Sequence, residues 1–174
     1  YASSFMLYLY EDRFFVVAGQ GRGMLVLDVQ DPAEPQVVKW FENIDVRGVA
    51  VSDGLAFVTT AEERESPSTP GAEMTVQSVR VLDPSADFAE LGRIEYDEER
   101  DWSTPPSDAV LAAGRRVYLC IQNDVVVIDA RDPSDPREIA RYAVPPNANM
   151  TGSGNAVQPE RYALSGNRLY LAFN

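Results

Sequence analysis

Histidine is absent from the 174 residues, cysteine occurs once, at Cys120, and lysine once, at Lys39. Without imidazole the commonest general base, haem ligand and zinc ligand are missing, and neither a Ser-His-Asp nor a Cys-His site can be built from these residues alone. A single cysteine excludes an internal disulfide. Long apolar runs are missing too: stretches such as Leu25-Val26-Leu27 before Asp28 and Val125-Val126-Val127-Ile128 before Asp129 are strand-length and end in a carboxylate, far short of the roughly 20 residues of a membrane-crossing helix. The sequence opens Tyr1-Ala2-Ser3-Ser4, with no methionine and no charged leader, so any signal peptide is expected to have been removed or to lie outside these residues. Positive charge is scarce, 15 basic against 27 acidic side chains for a net charge of −12. That balance repels phosphate backbones and anionic lipid, which argues against nucleic acid and against direct membrane insertion.

What is present is a globular composition, 45% hydrophobic, enough for the core of one domain, and a repeat. Three segments superimpose: Met24-Leu25-Val26-Leu27-Asp28, Val79-Arg80-Val81-Leu82-Asp83 and Val125-Val126-Val127-Ile128-Asp129. Each is a short, largely β-branched or leucine run closed by an Asp able to start a turn by accepting backbone N–H groups ahead of it. Asp31-Pro32-Ala33-Glu34-Pro35 follows the first and Asp132-Pro133-Ser134-Asp135-Pro136 the third, while the second is clipped to Asp83-Pro84. Upstream of each run lies a turn and an alternating strand with an aromatic, at Asp53-Gly54-Leu55-Ala56-Phe57-Val58, Gly114-Arg115-Arg116-Val117-Tyr118-Leu119 and Gly166-Asn167-Arg168-Leu169-Tyr170-Leu171, with a weaker relative at Asp12-Arg13-Phe14-Phe15-Val16-Val17. Adding the strands before and after, one repeat reads as four short antiparallel strands. Its shortest interval, about 41 residues, is the length of a propeller blade.

These residues closely resemble the LVIVD-repeat β-propeller family. The resemblance implies an all-β fold of four-stranded antiparallel blades, about three and a half of them, over 5–41, 46–96, 108–142 and an incomplete 157–174. It also implies a location outside the cytoplasm, in the periplasm, at the cell surface or secreted. Arg80 and the clipped turn after it depart from the motif. A propeller buries its blade faces only against neighbours, so the expectation is a partial ring completed by another chain or by further blades of the same propeller.

In such a meander the long connections fall on one rim, at 61–75, 97–107 and 145–156, and long loops on a rigid scaffold are where binding concentrates. The first two are acidic. Glu62, Glu63, Glu65 and Glu73 lie in one, and Asp97, Glu98, Glu99, Asp101 with Trp102 in the other. They would suit a basic protein partner anchored by the tryptophan, or solvation alone; calcium is the only cofactor they suggest, without EF-hand spacing to support it. Asp28, Asp83 and Asp129 read as turn caps, Cys120 as a buried thiol, the aromatics Phe57, Tyr118 and Tyr170 as blade-to-blade packing, and 19–23 as a hairpin turn. Asn149-Met150-Thr151 is a glycosylation sequon in an insertion. No catalytic or metal-ligating residue is assigned. The expected function is a non-catalytic scaffold or protein-interaction subunit of an exported or cell-surface assembly, the alternative being part of a propeller enzyme or cofactor-binding propeller whose active groups lie on other blades.

Overall fold

In the computed structural model the residues described are 5–18, 23–69, 71, 73–98, 110–121, 124–143, 161–165 and 168–172. They form three four-stranded antiparallel sheets and a hairpin. The first sheet orders β1 (Phe5–Tyr10), β2 (Arg13–Ala18), β3 (Met24–Asp28) and β4 (Gln36–Phe41) as a plain meander. The second does the same with β5 (Asp45–Ser52), β6 (Leu55–Glu65), β7 (Glu73–Asp83) and β8 (Ala89–Glu98). The third uses β9 (Val110–Ala113), β10 (Arg116–Ile121), β11 (Asp124–Asp129) and β12 (Arg137–Ala143), and β13 (Arg161–Ser165) pairs with β14 (Arg168–Ala172).

The repeated motif supplies the third strand of each sheet, and its period of two divides the residues between two faces. A forward face meets the next sheet in the chain; a rear face meets the one before. Phe15, Val17, Met24 and Val26 on the forward face of the first sheet pack with Val49, Val51, Ala56, Val58 and Leu82 on the rear of the second. Ala50, Phe57, Val79 and Val81 on the second sheet's forward face pack with Val117, Leu119, Val126 and Ile128 behind the third. Two apolar layers therefore hold three sheets in sequence order. Among the described residues the stack does not close into a ring.

All three sheets share a distortion the motif does not announce. The register of the fourth strand slips opposite the motif, at Val26/Leu27, Val81/Leu82 and Val127/Ile128, leaving Val38, Leu91 and Ile139 as extra residues. A bulge of this kind bends the outer strand and increases its twist.

The departures in the second repeat are absorbed locally. Arg80 stands on the rear face where the other copies carry Leu25 and Val126, and its guanidinium meets Glu62 on β6 and Glu90 on β8. Beyond the clipped Asp83-Pro84, a 3-10 turn over Pro84–Ala86 leads to Asp87 and Phe88, both at positive φ, 53° and 59°. This geometry turns the buried Phe88 into the first core, edge-on to Phe15 and Phe41 at ring-centre distances of 6.2 and 5.7 Å. Within the described residues no helix is long and apolar enough to cross a membrane.

Candidate functional site

The segment expected as a loop at 61–75 is mostly strand. β6 runs unbroken to Glu65 and β7 begins at Glu73, so only 66–72 connects them. Each of these strands has 11 residues, where β2, β3, β10 and β11 have 6, 5, 6 and 6. Ladder pairing continues past Thr60 because Glu62↔Val76, Arg64↔Met74 and their neighbours keep register, with β8 bonded alongside as far as Thr75↔Glu98. Ser66 holds the turn, its hydroxyl accepting from the backbone N–H groups of Ser68 and Thr69 at 3.3 Å. The Glu65 carboxylate accepts from Gly71 N–H at 3.2 Å.

Strand alternation separates the four glutamates of this hairpin. On the rear face Glu62 joins a ladder with three arginines: it pairs with Arg80 and, at 3.1 Å, with Arg64. Arg64 grips both oxygens of Glu95 at 3.0 and 3.1 Å, and Arg93 reaches Glu90 at 2.6 Å. The Arg64 hydrogen bonds hold the Glu95 carboxyl below its ordinary range. Glu62 therefore belongs to a charge-balanced surface. Glu63, Glu65 and Glu73 fall on the forward face and are exposed, with Glu65 directly opposite Glu73 and Glu63 opposite Thr75.

The backbones of Asp97 and Glu98 continue β8 at this same end of the second sheet, opposite Val76 and Thr75. Two acidic stretches far apart in sequence are thus brought side by side. Glu99, Asp101, Trp102 and the rest of 99–107 lie outside the described residues, as do 145–156 with its sequon at Asn149, and most of the 19–23 turn. Sequence reasoning missed Arg64, Arg93, Glu90 and Glu95, although their i, i+2 alternation with opposite charge in a strand pattern was there to be read. Among the described residues no group of three or more His, Cys, Asp or Glu side chains is placed to hold a metal ion.

The repeated aspartates cap turns. Asp28, Asp83 and Asp129 each accept, through Oδ1, the N–H of the residue two ahead, at 2.9, 2.8 and 3.0 Å. Asp31 and Asp132 do the same for Ala33 and Ser134. Cys120 is buried on the forward face of the third sheet, and desolvation pushes its thiol up to about 11, which leaves it without thiolate character at neutral pH.

Fold and site together define an all-β protein of stacked four-stranded antiparallel sheets, each with a third strand ending in an aspartate-capped turn. Residues 108–144, which hold the third sheet, match the LVIVD repeat model. A crystal structure described as a functionally unknown protein from Desulfotomaculum acetoxidans DSM 771 aligns with 90% of this chain at 11% identity and a TM-score of 0.38. The alignment spans 59% of that protein's chain. No curated protein matches the sequence.

Proposed function

We propose that the chain is a non-catalytic β-propeller scaffold of an exported or cell-surface assembly, which binds a basic protein surface through the forward side of the β6–β7 hairpin. The observation that carries this reading is the direct opposition of Glu65 and Glu73 across the ladder, with Glu63 on the same face. Like charges opposite one another destabilise a sheet, and a cationic partner relieves that repulsion while a water-exposed rim does not. On the rear face of the same hairpin Glu62, Glu90 and Glu95 are matched by Arg80, Arg93 and Arg64. Stacking of the second sheet on both faces gives the hairpin a rigid base, which lowers the cost of ordering it on binding.

The test compares the wild-type chain with Glu63→Gln/Glu65→Gln/Glu73→Gln in cross-linking capture from a cell-envelope fraction, quantified by mass spectrometry. A basic protein captured by the wild type, lost in the triple variant and released by salt is the expected result. Capture that is indifferent to the triple substitution would remove the hairpin from the binding surface. A melting temperature that falls on adding chelator would assign the carboxylates to calcium instead.

A further inference from the structure

A cavity of about 100 Å³ lies between the first and second sheets. Its floor belongs to the rear side of the second sheet, where Val46, Val58, Leu82 and Phe88 are buried. Phe41 at the end of β4 and Ile44 in the connection to β5 are half-buried and form its rim. Arg80 and Glu90 also line it, which places a charged pair in an otherwise apolar wall.

Arg80 sets this place apart from its counterparts in the repeat. The first and third motifs carry Leu25 and Val126 at the same position, and Val126 is fully buried in the layer between the second and third sheets. The Arg80 guanidinium instead turns its terminal nitrogens to carboxylates, one to Glu62 and the other to Glu90 at 3.4 Å. Those two groups match its charge. The remaining donor, Nε–H, is buried and meets no acceptor among the described residues. A buried donor left without a partner costs free energy, so this wall calls for one acceptor.

Water answers that call poorly. The cavity has room for about three waters at roughly 30 Å³ each, and every one needs two to four polar partners. Besides the Nε–H, the walls offer the Glu90 carboxylate, already engaged by Arg80 and Arg93, and the Thr60 hydroxyl, bonded to Ser78 Oγ at 2.7 Å. A molecule that is apolar over most of its surface, with a single acceptor oxygen, matches these walls better. It should carry no charge, because an anion would meet Glu62 and Glu90 as well as Arg80. By proportion with the roughly 150 Å³ cavity that holds benzene, its size is about four or five heavy atoms.

We propose that this cavity binds a small neutral molecule with one acceptor oxygen, such as a short-chain ketone. Its oxygen accepts from Arg80 Nε–H and its hydrocarbon part lies against Val46, Val58, Leu82 and Phe88. The site is separate from the forward side of the β6–β7 hairpin, and neither reading depends on the other.

The test is a titration of the isotope-labelled chain with butanone, followed by NMR at the Arg80 Nε–H and at the methyl groups of Val46, Val58 and Leu82. A saturable shift at all of them in the millimolar range, with the Nε–H proton moving downfield, is the expected result. Arg80→Leu installs the residue of the first motif and leaves Glu62 paired with Arg64 and Glu90 with Arg93. It should weaken binding by about tenfold or more, the usual worth of a hydrogen bond to a charged group. Methyl shifts that persist undiminished in Arg80→Leu overturn the role of Nε–H. The absence of any saturable shift in the wild type overturns the site and leaves the cavity to water. Propanoate binding more tightly than butanone overturns the neutral ligand. If Arg80→Leu does not fold, the wild-type Nε–H resonance decides alone, since only an acceptor placed in the cavity moves it together with the three methyl-bearing residues.

Discussion

The aspartate that closes each motif strand is an acceptor whose charge is stabilised by what surrounds it. Asp28 lies below its ordinary range because the Gln30 N–H and Arg13 donate to it, Asp83 because of Ser85, and Asp129 because of Arg131. A carboxyl whose folded value is depressed stabilises the fold above its unfolded value, and that contribution disappears as pH falls through about 4 and below. Asparagine keeps the turn acceptor but not the titration. The combined variant Asp28→Asn/Asp83→Asn/Asp129→Asn should therefore lose less stability than the wild type between pH 7 and pH 3, measured as the shift in urea midpoint. An equal shift would show that the acid response lies elsewhere. These turn caps were legible in the sequence because an Asp that closes an apolar run and is followed by a proline within four positions, at Pro32, Pro84 and Pro133, is a local signal. The buried thiol of Cys120 was legible for the same reason, lying within an apolar run. It should resist alkylation in the folded chain at pH 8 and react on unfolding, and prompt reaction of the native protein would contradict its burial.

Strands and their grouping into fours could be read from period-two alternation and turn residues, whereas features set by contact between elements could not. The shared bulge opposite Val26, Val81 and Val127 leaves no compositional mark, since Val38, Leu91 and Ile139 look like ordinary strand residues. The extent of the β6–β7 hairpin was hidden because Glu62, Glu63, Arg64 and Glu65 have weak strand propensity, which cross-strand ion pairing with Arg80 and Glu95 overrides. Gly92 is a further case. It lies on the forward side of β8, opposite Val81, where the next sheet's Asp-Pro turn comes so close that an added Cβ would stand 2.5 Å from the Pro133 carbonyl oxygen and 2.9 Å from Ser134. Both obstacles are backbone, so neither can rotate away. Gly92→Ala should destabilise by about 1–3 kcal/mol, the usual range for overpacking, despite alanine's better backbone entropy. A urea titration decides it, and a neutral or stabilising result would mean that the turn shifts freely.

At the scale of the whole molecule, the stack makes stability a nearest-neighbour matter. Among the described residues the second sheet is packed on both faces and the first on its forward face alone. Phe15 and Phe57 are equivalent residues, both buried, and each lies in one apolar layer: Phe15 between the first and second sheets, Phe57 between the second and third. Truncating either to alanine removes a similar ring and should cost about 3–5 kcal/mol locally, yet the consequences should spread differently. Phe15→Ala loosens a sheet held from one side, so amide exchange should accelerate across β1–β4 while β10 and β11 keep their protection. Phe57→Ala weakens the layer on which the third sheet depends and one face of the sheet that anchors the first. Exchange should then rise in β9–β12 and, to a lesser degree, in β5–β8. Hydrogen exchange read by mass spectrometry on the two variants separates these patterns. Uniform acceleration in both would show that the sheets unfold as a single cooperative unit, with layer-to-layer coupling stronger than the two cores alone account for.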